Sequence, residues 1–112
     1  MKTWGKAMFN LQINQKYNFA FTVLRAEDVP TDVTEEDLDG MSGFLSNLGK
    51  VNGLLLLREL KNGEIKGSLR TSKPDINVAR LAQALGGGGH ARAAGFTVAG
   101  KLEKTEKGWK IV

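Results

Sequence analysis

Gly86, Gly87, Gly88 and Gly89 run directly into His90, the only histidine among 112 residues. Each glycine in a loop adds to the entropy lost on ordering it, so such a run implies backbone that must reach positive φ or lie close to another group. A phosphate is a group of that kind. Amide N–H groups in a glycine turn can converge on an anion, and a helix starting after the turn would add the positive end of its dipole. At the lip of the bend the His90 ring can donate a hydrogen bond to a phosphate oxygen, while acid catalysis by it would need a partner the sequence does not identify. Arg92, two residues on, adds a cation. The competing reading is a bend with only a structural purpose.

Neither common phosphate loop fits. A P-loop needs Lys-Ser or Lys-Thr after its last glycine, and here His90-Ala91 follows. Gly86-x-Gly88-x-x-Ala91 fits the loose dinucleotide pattern, but that pattern must follow a strand, and the residues before Gly86 read as a helix.

Arg70 is the second candidate. It closes a strand reading over 64–71 in which Ile65, Gly67 and Leu69 share one face, so Lys66, Ser68 and Arg70 share the other. The arginine fork suits phosphate, with Lys73 nearby, although an exposed strand-end charge explains it equally well. Arg58 and Glu59 are weaker candidates. Asp32, Glu35, Glu36, Asp37 and Asp39 could suggest a divalent metal, yet acids at a helix N-terminus are explained by the macrodipole, and no hard-cation loop accompanies them.

The elements that would position these groups can be read from periodicity. Phe9, Leu11 and Ile13, then Tyr17, Phe19, Phe21 and Val23, alternate as the arms of a hairpin turning at Asn14-Gln15-Lys16, with Pro30 beyond the second arm. Thr34 and Asp37 have capping-box spacing ahead of Leu38, Met41, Leu45 and Leu48, an apolar helical face weakened by Gly40 and Gly43. The leucine run within 53–60 suits a strand buried on both faces, and Asn62-Gly63 joins it to 64–71 as a hairpin. After Pro74, Asp75 or Asn77 can cap a short helix in which Val78, Leu81, Ala82 and Leu85 fall at i, i+3, i+4 and i+7, and Gly86 stands where a helix-ending glycine belongs. Capping thus accounts for one glycine and leaves three to a ligand. Residues 91–94 could form a helical turn, 96–98 a strand and 109–112 a last edge strand. The expected fold is α+β, a mixed sheet with flanking helices in one domain over residues 1–112.

Composition bounds the partners. Charged residues make up 25% and apolar residues 41%, as in ordinary globular proteins, and the net charge of +4 weakly favours an acidic partner. Without cysteine there is no disulfide, thiolate nucleophile or thiolate metal site, which fits a reducing compartment. The longest apolar run, Leu54 to Leu57, is far too short to span a membrane, and the first residues carry no signal-peptide core. A cytoplasmic protein is expected.

Ser68-Leu69-Arg70, Asp75-Ile76-Asn77-Val78-Ala79, Leu85-Gly86-Gly87-Gly88-Gly89-His90 and Ala93-Ala94-Gly95-Phe96 together resemble the DHHA1 domain of DHH-family phosphoesterases. The likeness extends to Leu57-Arg58-Glu59 and covers nearly the whole chain. It is nearest the NanoRNase, or oligoribonuclease and pAp phosphatase, branch. The resemblance implies that Arg70, Gly87, Gly88, Gly89 and His90 bind the phosphate of a nucleotide or short single-stranded RNA or DNA, with Ser68, Asn77 and Arg92 as secondary contacts. It also implies catalysis by two manganese or magnesium ions in a separate N-terminal DHH domain. This chain has one histidine and no Asp-His-His, so on its own it should bind no metal and be inactive, a substrate-binding domain cut from a longer enzyme with Met1 an introduced start. The alternatives are a stand-alone nucleic-acid-binding module and the related C-terminal domain of an alanyl-tRNA synthetase.

Overall fold

A computed structural model describes residues 5, 7, 10–29, 34, 36–37, 40–41, 51–106 and 108–112. Phe9, Pro30, Asp32, Glu35, Leu38, Asp39, Gly43, Leu45 and Leu48, which the sequence reading placed in the hairpin, acidic cluster and helix, lie outside the described residues. The fold is α+β. Six strands form a mixed sheet in the order β1-β2-β3-β4-β6-β5, and β7 and β8 form a separate hairpin. The strands are β1 (Gln12–Asn14), β2 (Phe19–Leu24), β3 (Gly53–Glu59), β4 (Glu64–Arg70), β5 (Gly88–Gly89), β6 (Ala93–Ala99), β7 (Leu102–Thr105) and β8 (Gly108–Ile111); helix α1 is Val78–Ala84. Among the described residues no helix is long and apolar enough to cross a membrane.

Local chemistry places most of these elements. Gly63, at φ 82°, supplies the turn between β3 and β4, as Asn-Gly requires. The Asp37 N–H donates to Thr34 Oγ1 at 3.1 Å and the Thr34 N–H to Asp37 Oδ2 at 3.0 Å, the reciprocal bonds of a capping box. Glu36, Asp37, Gly40 and Met41 are helical, and Met41 is fully buried.

The β1–β2 hairpin forms, but β2 is an interior strand parallel to β3. Ala20, Thr22 and Leu24 are therefore buried along with Val23, although alternation alone suggested one apolar face. Thr22 satisfies its hydroxyl by donating to the Ala7 carbonyl at 2.5 Å.

Each sheet face carries its own core. On the front face Ala20, Leu24, Leu54 and Leu56 pack with Ala7, Met41 and Val51. On the back face Leu69 and Phe96 pack under Val78 and Ala82 of α1, while Val23 and Ile65 pack under Leu102 of β7. Glu59 pins the β7–β8 hairpin there, accepting the Leu102 N–H at 2.9 Å and the Ala26 N–H at 3.3 Å. Residues 109–112 thus contribute to this hairpin and do not edge the main sheet. Residues 91–94 form no helical turn: Ala91 and Arg92 make a tight turn and β6 begins at Ala93.

Candidate functional site

The site begins at the end of α1. Asn77 is its N-cap, its side-chain oxygen accepting the Ala79 N–H at 3.0 Å. At the other end Gly86 adopts φ 84°, the Gly86 N–H donates to Gln83 O at 3.1 Å and the Gly87 N–H to Ala82 O at 2.8 Å. These are the two bonds of a Schellman motif, so Gly86 ends the helix and Gly87 completes the cap.

Packing explains two more glycines that the sequence reading assigned to a ligand. A Cβ on Gly87 would lie 2.0 Å from the Gly95 carbonyl oxygen and 2.7 Å from Phe96 Cα. Gly89, at φ 145°, would bring a Cβ within 2.6 Å of Ala94 Cα. Gly88 alone of the run lacks both constraints, with a non-positive φ and nothing within 4 Å of a built Cβ. Its missing side chain leaves open space beside the sheet.

The run is also not a nest of converging amides. The Gly86 and Gly87 N–H groups are used by the cap, and the His90 N–H donates to Ala93 O at 2.8 Å. His90 and Ala93 exchange both backbone bonds, so ladder alternation makes Gly88 and Gly95 another bonded pair. Gly89 and Ala94 then form the non-bonded pair, whose Gly89 N–H points to the open sheet edge. A strand follows the run, so no helix dipole aids an anion there.

What gathers at this edge is a set of side chains. Pairing of β4 with β6 sets Arg70 opposite Ala93 and Ser68 opposite Gly95. Pairing beyond β6 sets Ala93 opposite His90 and Gly95 opposite Gly88. Arg70, Ala93 and His90 therefore form one row, and Ser68, Gly95 and Gly88 the next, all on the front face. Strand spacing puts the β4 and β5 columns about 10 Å apart, over a floor of small residues. Arg70 and Ser68 are half-buried and His90 is exposed.

The remaining sequence candidates are placed differently. The exposed Asn77 is occupied in capping, and Arg92 Nη1 donates to the Ser72 carbonyl at 3.2 Å. Main-chain bonds from Val78 N to Ala91 O and from Thr71 N to Arg92 O nevertheless tie both to the turn that carries His90. The floor residues Ala93 and Gly95 were missed as site elements. Their signal was small size at alternate positions of one strand, visible only once the sheet order is known.

A metal ion finds no seat in this set. Among the described residues no three of His, Cys, Asp and Glu approach closely enough to hold one. The described residues of this set do not fit a two-metal centre.

The domain is α+β, and one edge of its main sheet joins a Gly–His turn to the strand that ends in Arg70. The family follows directly: the DHHA1 domain model matches residues 16–110, and the chain belongs to that family. Such domains occur with an N-terminal DHH domain and bind nucleotides. An exopolyphosphatase-related protein from Bacteroides fragilis is similar in structure at a TM-score of 0.72 and 29% identity, covering 84% of this chain and 28% of that one. A pGpG-specific phosphodiesterase from Vibrio cholerae has a TM-score of 0.57 at 16% identity, covering 85% of this chain and 31% of its own. The C-Ala domain of Aquifex aeolicus alanyl-tRNA synthetase has a TM-score of 0.55 at 19% identity over 73% of this chain and 78% of that one. The last two likenesses show the fold alone. This chain spans less than a third of the first two structures. No curated protein matches the sequence.

Proposed function

We propose that the domain holds the phosphate of a nucleotide or short single-stranded oligonucleotide between Arg70 and His90. Gly88 gives it room, the Gly89 N–H supplies an edge donor and Ser68 a hydroxyl. The observation that carries this reading is the row Arg70–Ala93–His90, which sets a guanidinium and an imidazole on one face of the sheet on either side of a methyl group. Arg70 gives a bidentate fork and His90 a directional donor, which together orient a phosphate as well as attract it.

In a whole protein the domain would be the substrate-binding half of a cytoplasmic phosphoesterase acting on short oligoribonucleotides or pAp. Two manganese or magnesium ions in a DHH domain would supply the hydrolytic chemistry. The neighbours named for exopolyphosphatase relationship and for pGpG hydrolysis support a phosphate-bearing ligand. A second reading, a nucleic-acid-binding module of the synthetase type, draws on the C-Ala likeness.

Titration with a 5′-phosphorylated trinucleotide and with a tRNA acceptor hairpin separates the two. The phosphoesterase reading expects the trinucleotide to bind and both Arg70→Ala and His90→Ala to abolish that binding, with no turnover by this chain when manganese is added. Preference for the hairpin, or binding indifferent to both substitutions, would count against it.

A further inference from the structure

The back face holds a groove that its cores do not fill. Between α1 and the β1–β2 hairpin an open cavity of about 650 Å³ lies over the sheet, within the size range of small-molecule sites. Its floor is aromatic and flat. A Cβ on Gly53 would come within 2.5 Å of the Phe19 ring, and one on Gly67 would run into the Phe96 ring. Each ring therefore lies across the glycine paired with it on the neighbouring strand and turns one face away from the sheet. Phe21 and Leu55, paired on β2 and β3, extend the floor.

One end of the groove is polar. Asn14 and Asn52 hold Tyr17 from two sides: Asn14 Oδ1 accepts the Tyr17 N–H at 3.2 Å, and Asn52 Nδ2 donates to the Tyr17 carbonyl at 2.9 Å. The other halves of both amides, Asn14 Nδ2 and Asn52 Oδ1, have no hydrogen-bond partner among the described residues, and neither has the Tyr17 hydroxyl. A free donor and a free acceptor thus stand at the same end. No charged side chain lines the groove, and Lys16 holds its ammonium 5.3 Å from the Tyr17 ring centroid.

The rim limits the size of the occupant. Its exposed apolar side chains are Tyr17 at 62%, Leu81 of α1 at 48% and Leu85 at the helix C-cap at 50%. Three side chains fall well short of the roughly 800 Å² per partner that a standard protein interface buries.

We propose that this groove binds an uncharged, flat heteroaromatic molecule, its ring stacked on Phe19 and its hydrogen-bonding edge turned to Asn14 and Asn52. The site is independent of the phosphate reading, since Arg70 and His90 stand on the front face. An alkyl chain would use the floor but leave both amides unanswered. A charged ligand would lose water against a lining with no counter-charge.

The test titrates the isotope-labelled 112-residue chain with three neutral probes. Theophylline has a ring N–H beside a carbonyl, caffeine is the same ring with that N–H methylated, and 1-octanol is an alkyl chain with one hydroxyl. Theophylline is expected to give saturable shifts at the Asn14 and Asn52 side-chain amides and the Leu81 and Leu85 methyls, with caffeine bound about five-fold more weakly. Phe19→Leu, which removes the ring, and Leu81→Glu, which puts a charge on the half-exposed wall, should each weaken theophylline about five-fold or more. Amide spectra check that both variants fold, and if Phe19→Leu does not, Leu81→Glu decides. No saturable shift at these groups, caffeine or 1-octanol bound as tightly as theophylline, or an affinity unmoved by Leu81→Glu overturns the proposal and leaves the phosphate reading standing.

Discussion

Arg70 and His90 lie in one row of the sheet, each opposite Ala93 of the strand between them. Neither position depends on the other in sequence: Arg70 is placed by the Asn62-Gly63 hairpin and His90 by the turn that returns β5 to β6. A charge-preserving change tests whether fork geometry matters. Arg70→Lys should weaken binding of a 5′-phosphorylated trinucleotide about ten-fold, because an ammonium cannot make the two parallel bonds of a guanidinium. Calorimetric titration measures it, and an unchanged affinity would reduce Arg70 to a point charge.

The glycine run separates into structural and ligand positions by stability. Gly87→Ala should cost about 2–3 kcal/mol in urea unfolding, since its Cβ would strike the Gly95 carbonyl and Phe96 backbone. Gly88→Ala should stay within about 0.5 kcal/mol of wild type and yet weaken phosphate binding, because its Cβ enters only the open space on the face that carries Ser68 and His90.

Asn77 tests a residue whose capping bond is sufficient explanation. Asn77→Ala should lower unfolding free energy by about 1 kcal/mol by freeing the Ala79 N–H, while trinucleotide affinity stays at the wild-type value. A binding loss exceeding the stability loss would return Asn77 to the site.

Glu59 should act as a fastener remote from the ligand. Its two carboxylate oxygens accept the Ala26 and Leu102 N–H groups, and Glu59→Ala strips both. The expected cost is about 2 kcal/mol, with faster hydrogen exchange at the Leu102 amide and unaltered ligand binding.

Much of this was legible where the determining contacts are local. The β3–β4 hairpin follows from Asn62-Gly63, the shared face of Ser68 and Arg70 from strand parity, and the end of α1 from Gly86. Long-range pairing was not legible. Nothing within 19–24 announces that this strand will lie parallel to β3, which is why Ala20 and Thr22 read as a second face and proved buried. The small-residue stretch at 91–94 suits a helical turn in isolation, but residues 93 and 94 become strand because β4 supplies a ladder from more than twenty positions upstream. Gly87 and Gly89 likewise looked free for a ligand until β6 was laid against them.

The most direct measurement is amide and side-chain chemical-shift perturbation in the isotope-labelled chain titrated with a 5′-phosphorylated trinucleotide. The account predicts saturable shifts centred on Gly88, Gly89 and His90 and on the Arg70 Nε–H, abolished by Arg70→Ala. Saturable shifts centred instead on the back face, around Leu81, Leu85 and Phe96, would contradict it.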